Sequence, residues 1–328
     1  MSRWIFVLAL LLAPAAPATA TFSIVAIDPA TGDLGIAVAS RYFAVGAVVP
    51  WADAGVGAVA TQAGVNVGYG PRALELLRQG LTAQQVMDRL FAEDTFPGKD
   101  ARQLAIVDAK GNIAVFTGDA ANQWRGHVKG KTWSAQGNIL VGAHVVEAMG
   151  RAFDRTQDEL AEKLFAALKA GDEAGGDSRG RQSASILVVR KGGGRNTNND
   201  RYVFVNVDDH QDPIHELRRL MNLQMTINHN GAINRALTAG TFASALVSSE
   251  KVATYQPLDP AQHVRVGFLA YLAGQPDRAL AAFARARELT LPAQFKALWE
   301  AQASRPAYSK VLEDKAFVAK VLTDPQPF

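Results

Sequence analysis

The chain has 328 residues, 34 Lys and Arg against 31 Asp and Glu, a formal net charge of +3, and no cysteine. The missing cysteine excludes disulfides, a thiol nucleophile, a lipid-anchored cysteine behind a leader and any Cys-type zinc site. The charge surplus is small and forms no long basic run, so nothing points to nucleic acid; the 48% hydrophobic content is enough for a large domain and a smaller one held by their cores.

The chain opens with Arg3, an apolar run over residues 4–12 and the small residues Ala18-Thr19-Ala20. These are the n-region, h-region and cleavage site of a secretory signal peptide over residues 1–20, which places the mature protein in the periplasm or outside the cell. Cleavage after Ala20 frees the α-amino group of Thr21; cleavage after Ala18 satisfies the same small-residue rule and leaves Thr21 two residues inside. No later stretch reaches 18 apolar residues, so no membrane span is expected after the leader.

From Thr21 the pattern predicts strands over 22–28 and 34–42 around the turn 29–33, then strand-like runs over 45–49 and 56–62. Two helices follow, one from Pro71 and one opening at the Thr82/Gln85 capping box. A hairpin over 103–108 and 112–117, a helix pair over 141–155 and 157–170, a second hairpin over 183–190 and 201–207 and a helix from Pro213 to about Gln224 complete the unit. Hairpins alternating with helix pairs exclude a doubly wound parallel sheet. They predict an α+β fold, a four-layer αββα sandwich over 21–225. Residues 226–328 read as all-α, with Gly274, Ala279, Leu280, Phe283, Ala286, Leu289 and Pro292 at the spacing of one tetratricopeptide unit or of an ordinary helical hairpin.

Thr21 is the leading candidate catalyst. An N-terminal threonine carries a nucleophilic hydroxyl and an amine base on one residue. Pairing across the first hairpin sets Thr21 opposite Ser40, Arg41 and Tyr42. A guanidinium there lowers the amine pKa, or binds a substrate carboxylate. Asn138, read at a strand-to-helix turn, is the candidate oxyanion donor, and Thr61 and Gln62 end a strand that lines the same pocket. The run Gly175-Gly176-Asp177-Ser178-Arg179-Gly180-Arg181-Gln182-Ser183 is the densest polar motif. Asp177 there orients an arginine, and Arg179 or Arg181 holds an anion; the competing reading is a loop fixed by its own Asp–Arg pair. No cofactor or metal site is expected: Asp208, Asp209, His210 and His215 read as capping and ion-pair residues of the helix from Pro213, and the Walker spacing is absent.

The start Thr-x-x-x-Val-Ala together with Ala39-Ser40-Arg41 resembles a proteasome β subunit, an N-terminal-nucleophile (Ntn) hydrolase. More of the chain, residues 21–223, resembles the Ntn-hydrolase-like family catalogued as domain of unknown function 1028. The resemblance is carried by Thr21-Phe22-Ser23-Ile24-Val25-Ala26, Val38-Ala39-Ser40-Arg41-Tyr42-Phe43-Ala44-Val45-Gly46, Gly57-Ala58-Val59-Ala60-Thr61-Gln62, Gln136-Gly137-Asn138-Ile139-Leu140 and the Gly175–Ser183 run. It implies the αββα fold and a threonine at the mature N-terminus. Family members without a leader begin Met-Thr-Phe-Ser, which favours the cut after Ala20. The chain departs from the proteasome in having Ala39 where that enzyme has aspartate, and no lysine between Val45 and Gln62.

Two functional readings follow. One is an exported amidohydrolase in which Thr21 attacks an amide of a small molecule or peptide, with Asn138 at the oxyanion and Ser40, Arg41, Thr61, Gln62, Asp177, Arg179 and Arg181 around an anionic substrate. The other is a non-catalytic binder of a small anion or a protein partner on the same scaffold. Homo-oligomerisation stays open in both.

Overall fold

The computed structural model describes residues 20–121 and 124–323; residues 1–19 of the expected leader lie outside the described residues. Among the described residues, ten strands form two antiparallel sheets. The larger sheet has the order β10 (Arg201–Val207), β9 (Ser183–Val189), β2 (Leu34–Ser40), β1 (Thr21–Ile27), β8 (Trp133–Leu140), β7 (Trp124–Lys129). The smaller runs β3 (Pro50–Asp53), β4 (Gly57–Ala63), β5 (Arg102–Asp108), β6 (Ile113–Thr117).

The sheets stack because β1 and β2 alternate two apolar sets, one on each face. Val25, Ile27, Ile36 and Val38 meet Ala58, Ala60, Ala105 and Val107 between the sheets. Phe22, Ile24 and Ala26 face outward and bury against Met149, Phe153, Leu164 and Leu168 of α3 (His144–Arg155) and α4 (Leu160–Glu173). On the far side Val59, Leu104 and Ile106 pack against Leu74, Leu77, Val86 and Leu90 of α1 (Tyr69–Arg78) and α2 (Ala83–Glu93). The layers are therefore helices, sheet, sheet, helices, as the alternation of hairpins and helix pairs predicts. The Thr82/Gln85 capping box opens α2.

Four local expectations are corrected. Residues 45–49 are not a strand: Ala44 adopts a left-handed conformation (φ 52°) and one 3-10 turn follows. Residues 124–140, to which the pattern assigns no element beyond a strand-to-helix turn at Asn138, form the β7–β8 hairpin, which places Asn138 inside a strand beside β1. The closing helix α5 (Pro213–Thr238) runs well past Gln224. Asn228 and His229 explain the difference, since their polar side chains bond Tyr202 O at 2.6 Å and Glu159 Oε1 at 3.0 Å and so face the protein rather than water. Asp212, not the acidic pair before it, caps α5 through the His215 N–H.

Helices α6 (Phe242–Tyr255), α7 (Pro260–Leu272), α8 (Pro276–Glu288), α9 (Pro292–Ala303), α10 (Ser309–Glu313) and α11 (Lys315–Thr323) form an all-helical region with its own core around Phe268, Phe283, Trp299 and Tyr308. Gly274 turns the chain between α7 and α8 at φ 74°. Gly267 lets the Phe283 ring lie against α7, where a Cβ would come within 2.6 Å of it.

Candidate functional site

Strand register builds the site. At the end of the larger sheet, Thr21 on β1 lies directly between Ser40 on β2 and Asn138 on β8. Ser183 on β9 continues the row beyond Ser40, and Arg125 on β7 beyond Asn138. Side chains alternate along a strand, and Ser23 and Val25 face the smaller sheet. Thr21 therefore points into the space between the sheets, at the end where β1 begins. Its hydroxyl lies 3.1 Å from the Ser40 hydroxyl, and both residues are buried.

The smaller sheet answers with a second polar row, Gln62 on β4, Gln103 on β5 and Thr117 on β6. Gln62 donates to Gln103 Oε1 at 2.7 Å and to the Thr21 carbonyl at 3.4 Å, and accepts from Ser23 at 2.7 Å. Asn138 donates to Gln103 Oε1 at 3.1 Å. Gln103 in turn donates to the Gly137 carbonyl at 2.9 Å and to Thr117 at 2.9 Å, whose hydroxyl meets His127 Nδ1 at 3.0 Å. Burial, helped by the charge of Lys129, holds the His127 imidazole below its ordinary pKa. Deeper in, Gln136 donates to Ser23 at 2.7 Å and accepts from Ser134 at 3.0 Å. Two sheets that elsewhere meet through aliphatic side chains are thus joined here by amides, whose buried polar atoms each need a partner.

The backbone turns sharply just beyond both rows. Ala63, after Gln62, has φ 62°, and Ile139, after Asn138, has φ 52°. A β-branched residue at positive φ is unusual, and such positions cost on the order of 1–3 kcal/mol and gather at functional sites.

The Gly175–Ser183 run lies against the same end. Asp177, 6% exposed, accepts from the Arg41 N–H at 2.7 Å, from the Arg179 N–H at 2.9 Å, and from the Arg179 guanidinium at 3.2 and 2.9 Å. Arg179 so fixed reaches the Ala20 carbonyl at 3.0 Å, and the Ser40 hydroxyl donates to the same oxygen. The Arg41 guanidinium donates to the Arg179 carbonyl. Arg181 makes a two-pronged pair with Asp172 at 2.7 and 2.8 Å, which holds the guanidinium above its ordinary pKa.

Of the residues singled out in the sequence, Thr21, Ser40, Asn138, Gln62, Asp177 and Arg179 converge. Thr61 does not: it alternates with Gln62, faces away from Thr21 and gives its hydroxyl to the Asn66 carbonyl at 3.2 Å. Arg181, with Asp172, Ser40, Asp177 and Gln211, lines a neighbouring polar cavity of about 320 Å³. On the other side of Thr21, Tyr42, Val45, Val48, Val49 and Val65 line a small apolar cleft. Sequence reasoning passed over Gln103, Ser23, Gln136 and Thr117; the signal was the period-two polar series Ser134, Gln136, Asn138. Among the described residues, no group of three or more His, Asp or Glu is arranged to hold a metal ion.

The model of a family described as "Family of unknown function (DUF1028)" matches residues 21–217. Among solved structures, the chain is similar to protein SPO2555 from Silicibacter pomeroyi, described under the same family. The two are 32% identical, with a TM-score of 0.56, over 62% of this chain and 88% of that chain. No curated protein matches the chain.

Proposed function

Since the chain belongs to the DUF1028 family, whose description carries no activity, we propose a function from the site itself: an exported amidohydrolase whose nucleophile is Thr21, exposed by removal of residues 1–20. The Thr21 hydroxyl attacks an amide carbonyl and its proton passes to the α-amine, whose reference pKa is about 7.7–8.0. The C–N bond breaks as the ammonium returns that proton to the leaving nitrogen. Water then hydrolyses the Thr21 ester.

The observation that carries this reading is the position of Thr21. It is the first residue of β1, on the inner face of the larger sheet between Ser40 and Asn138, with its hydroxyl 3.1 Å from that of Ser40. The family match begins at the same residue, and the composition of residues 1–20 supports export to the periplasm or beyond.

The cavity beside Ser40 favours a second reading, a small-anion binder without catalysis. It ranks below the first because Asp172 and Asp177 already neutralise the arginines nearest that cavity, Arg181 and Arg179.

Intact mass and N-terminal sequencing of the exported protein test the proposal. A chain beginning at Thr21 has the required amine. A chain beginning at Thr19, or a blocked Thr21 amine, removes the autonomous nucleophile and leaves the binding reading in front.

A further inference from the structure

The Ala20 carbonyl, joined to the Thr21 nitrogen, is held by two side-chain donors. Its oxygen takes the Ser40 hydroxyl and Arg179 Nη2, the latter at 3.0 Å. Arg179 cannot easily swing away. Its Nε and Nη2 are both anchored on Asp177, and Asp177 is itself buried and bound to the Arg41 N–H. A guanidinium is permanently charged and planar. Held so on a buried carboxylate, it meets charge that develops on an oxygen without having to reorganise. The Ala20 methyl group is wholly buried as well.

Building on the proposed nucleophile, we infer that Ser40 and Arg179 form the acyl-oxygen site of Thr21, and that the acyl group accepted there is alanyl-sized. An acyl group on Thr21 Oγ1 is connected to the Thr21 nitrogen only through Cα and Cβ, so the ester carbonyl and the Ala20 carbonyl occupy neighbouring positions. As Oγ1 bonds to the acyl carbon, the C=O π electrons move to oxygen, and the Ser40 O–H and the Arg179 N–H face that oxyanion. Asn138, the donor expected from the sequence, is less suited: its amide is directed at Gln103.

The test uses protein that begins at Thr21 and N-acetyl-L-alanine p-nitrophenyl ester, whose acylation of Thr21 releases p-nitrophenolate and a proton. The expected result is a saturating acylation rate about 10²–10³-fold lower in Ser40→Ala and in Arg179→Lys, with KM changed less than about threefold. The N-acetyl-L-phenylalanine ester should react more slowly with the unmodified protein. Ser40→Ala removes one hydroxyl and strands no charge, so it stays informative even if an Arg179 variant misfolds. Undiminished rates in Ser40→Ala and in folded Arg179→Lys overturn the oxygen site, and equal rates with both esters overturn the size limit. If the unmodified protein is not acylated at all, the Thr21 reading fails by itself. Calorimetry with N-acetyl-L-alanine, whose carboxylate can occupy the same position, then decides the oxygen site. Binding to Thr21→Ala that is lost in Thr21→Ala/Arg179→Gln supports it, and equal or absent binding overturns it.

Discussion

Gln103 on β5 and Asn138 on β8 are hydrogen-bonded across the gap between the two sheets, 3.1 Å from Asn138 Nδ2 to Gln103 Oε1. The same Gln103 oxygen accepts from Gln62 at 2.7 Å, so one buried amide orients Asn138 beside Thr21 and Gln62 on the facing sheet. The end of the sandwich at Thr21 is held by this amide cluster, where the rest of the inter-sheet layer is held by aliphatic side chains.

Gln103→Leu takes the acceptor from the Asn138 amide and from one of the two bonds of the Gln62 amide in a buried place, at about 1–3 kcal/mol for each unsatisfied group. The expected loss is about 2–4 kcal/mol, read from the urea midpoint. Adding Asn138→Leu should cost less than its effect alone, with a coupling energy on the order of 1 kcal/mol. Strict additivity would show that the two amides do not interact.

Much of this architecture was legible in the sequence, and the part that was not has a common cause. The αββα order, the β1–β2 register that sets Thr21 against Ser40 and the capping box of α2 follow from local periodicity and turn chemistry. The β7–β8 hairpin did not, because Ser134, Gln136 and Asn138 put polar groups at alternate positions of a wholly buried strand. Taken alone, that alternation fits a strand with one solvated face; the buried partners of the polar face, Ser23, Gln62 and Gln103, lie 31 to more than 100 residues away along the chain. Arg179 was singled out as an anion holder, but its reach to the Ala20 carbonyl depends on how Asp177 folds the loop.

Gly150→Ala reverses the usual sign of a helix glycine. Alanine in a helix interior normally gains about 1 kcal/mol over glycine. At position 150 of α3, however, a Cβ would come within 2.1 Å of the Trp133 ring. That ring cannot retreat freely, since its N–H donates to Asp154 at 2.8 Å. The expected outcome is a loss of about 1–3 kcal/mol from overpacking, with a changed near-ultraviolet tryptophan signal. A stabilised variant would show that the contact is loose.

Acid should weaken the join between α4, α5 and β10 through Glu159. Burial alone would raise its carboxyl pKa. Hydrogen bonds from His229 and Tyr202, with the charge of Arg190 nearby, outweigh this and hold it below the ordinary 4.5. A depressed folded-state pKa contributes stability that is fully present above the unfolded value and lost as pH falls through the folded one. Urea midpoints of the unmodified protein should therefore fall as pH drops below about 4.5, and those of Glu159→Gln should fall less steeply. Parallel slopes would place the acid sensitivity elsewhere.

Thr21 itself gives the sharpest contrast between chemistry and packing. Thr21→Ala removes the attacking oxygen but little else, because among the described residues the Thr21 hydroxyl is hydrogen-bonded to Ser40 alone. Unfolding midpoints should move by about 1 kcal/mol or less, while ester acylation falls by at least about 10³-fold, the scale seen when a nucleophile is deleted. Thr21→Ser keeps a hydroxyl and an amine and should retain measurable acylation. One extra residue before Thr21 converts the amine to an amide and should abolish acylation while the hydroxyl remains. The rate in the unmodified protein should rise with pH as that amine loses its proton, around its reference value of about 7.7–8.0. Equal acylation of Thr21→Ala and the unmodified protein would assign the nucleophile to another residue, and a rate independent of pH between about 6 and 9 would remove the α-amine as its base.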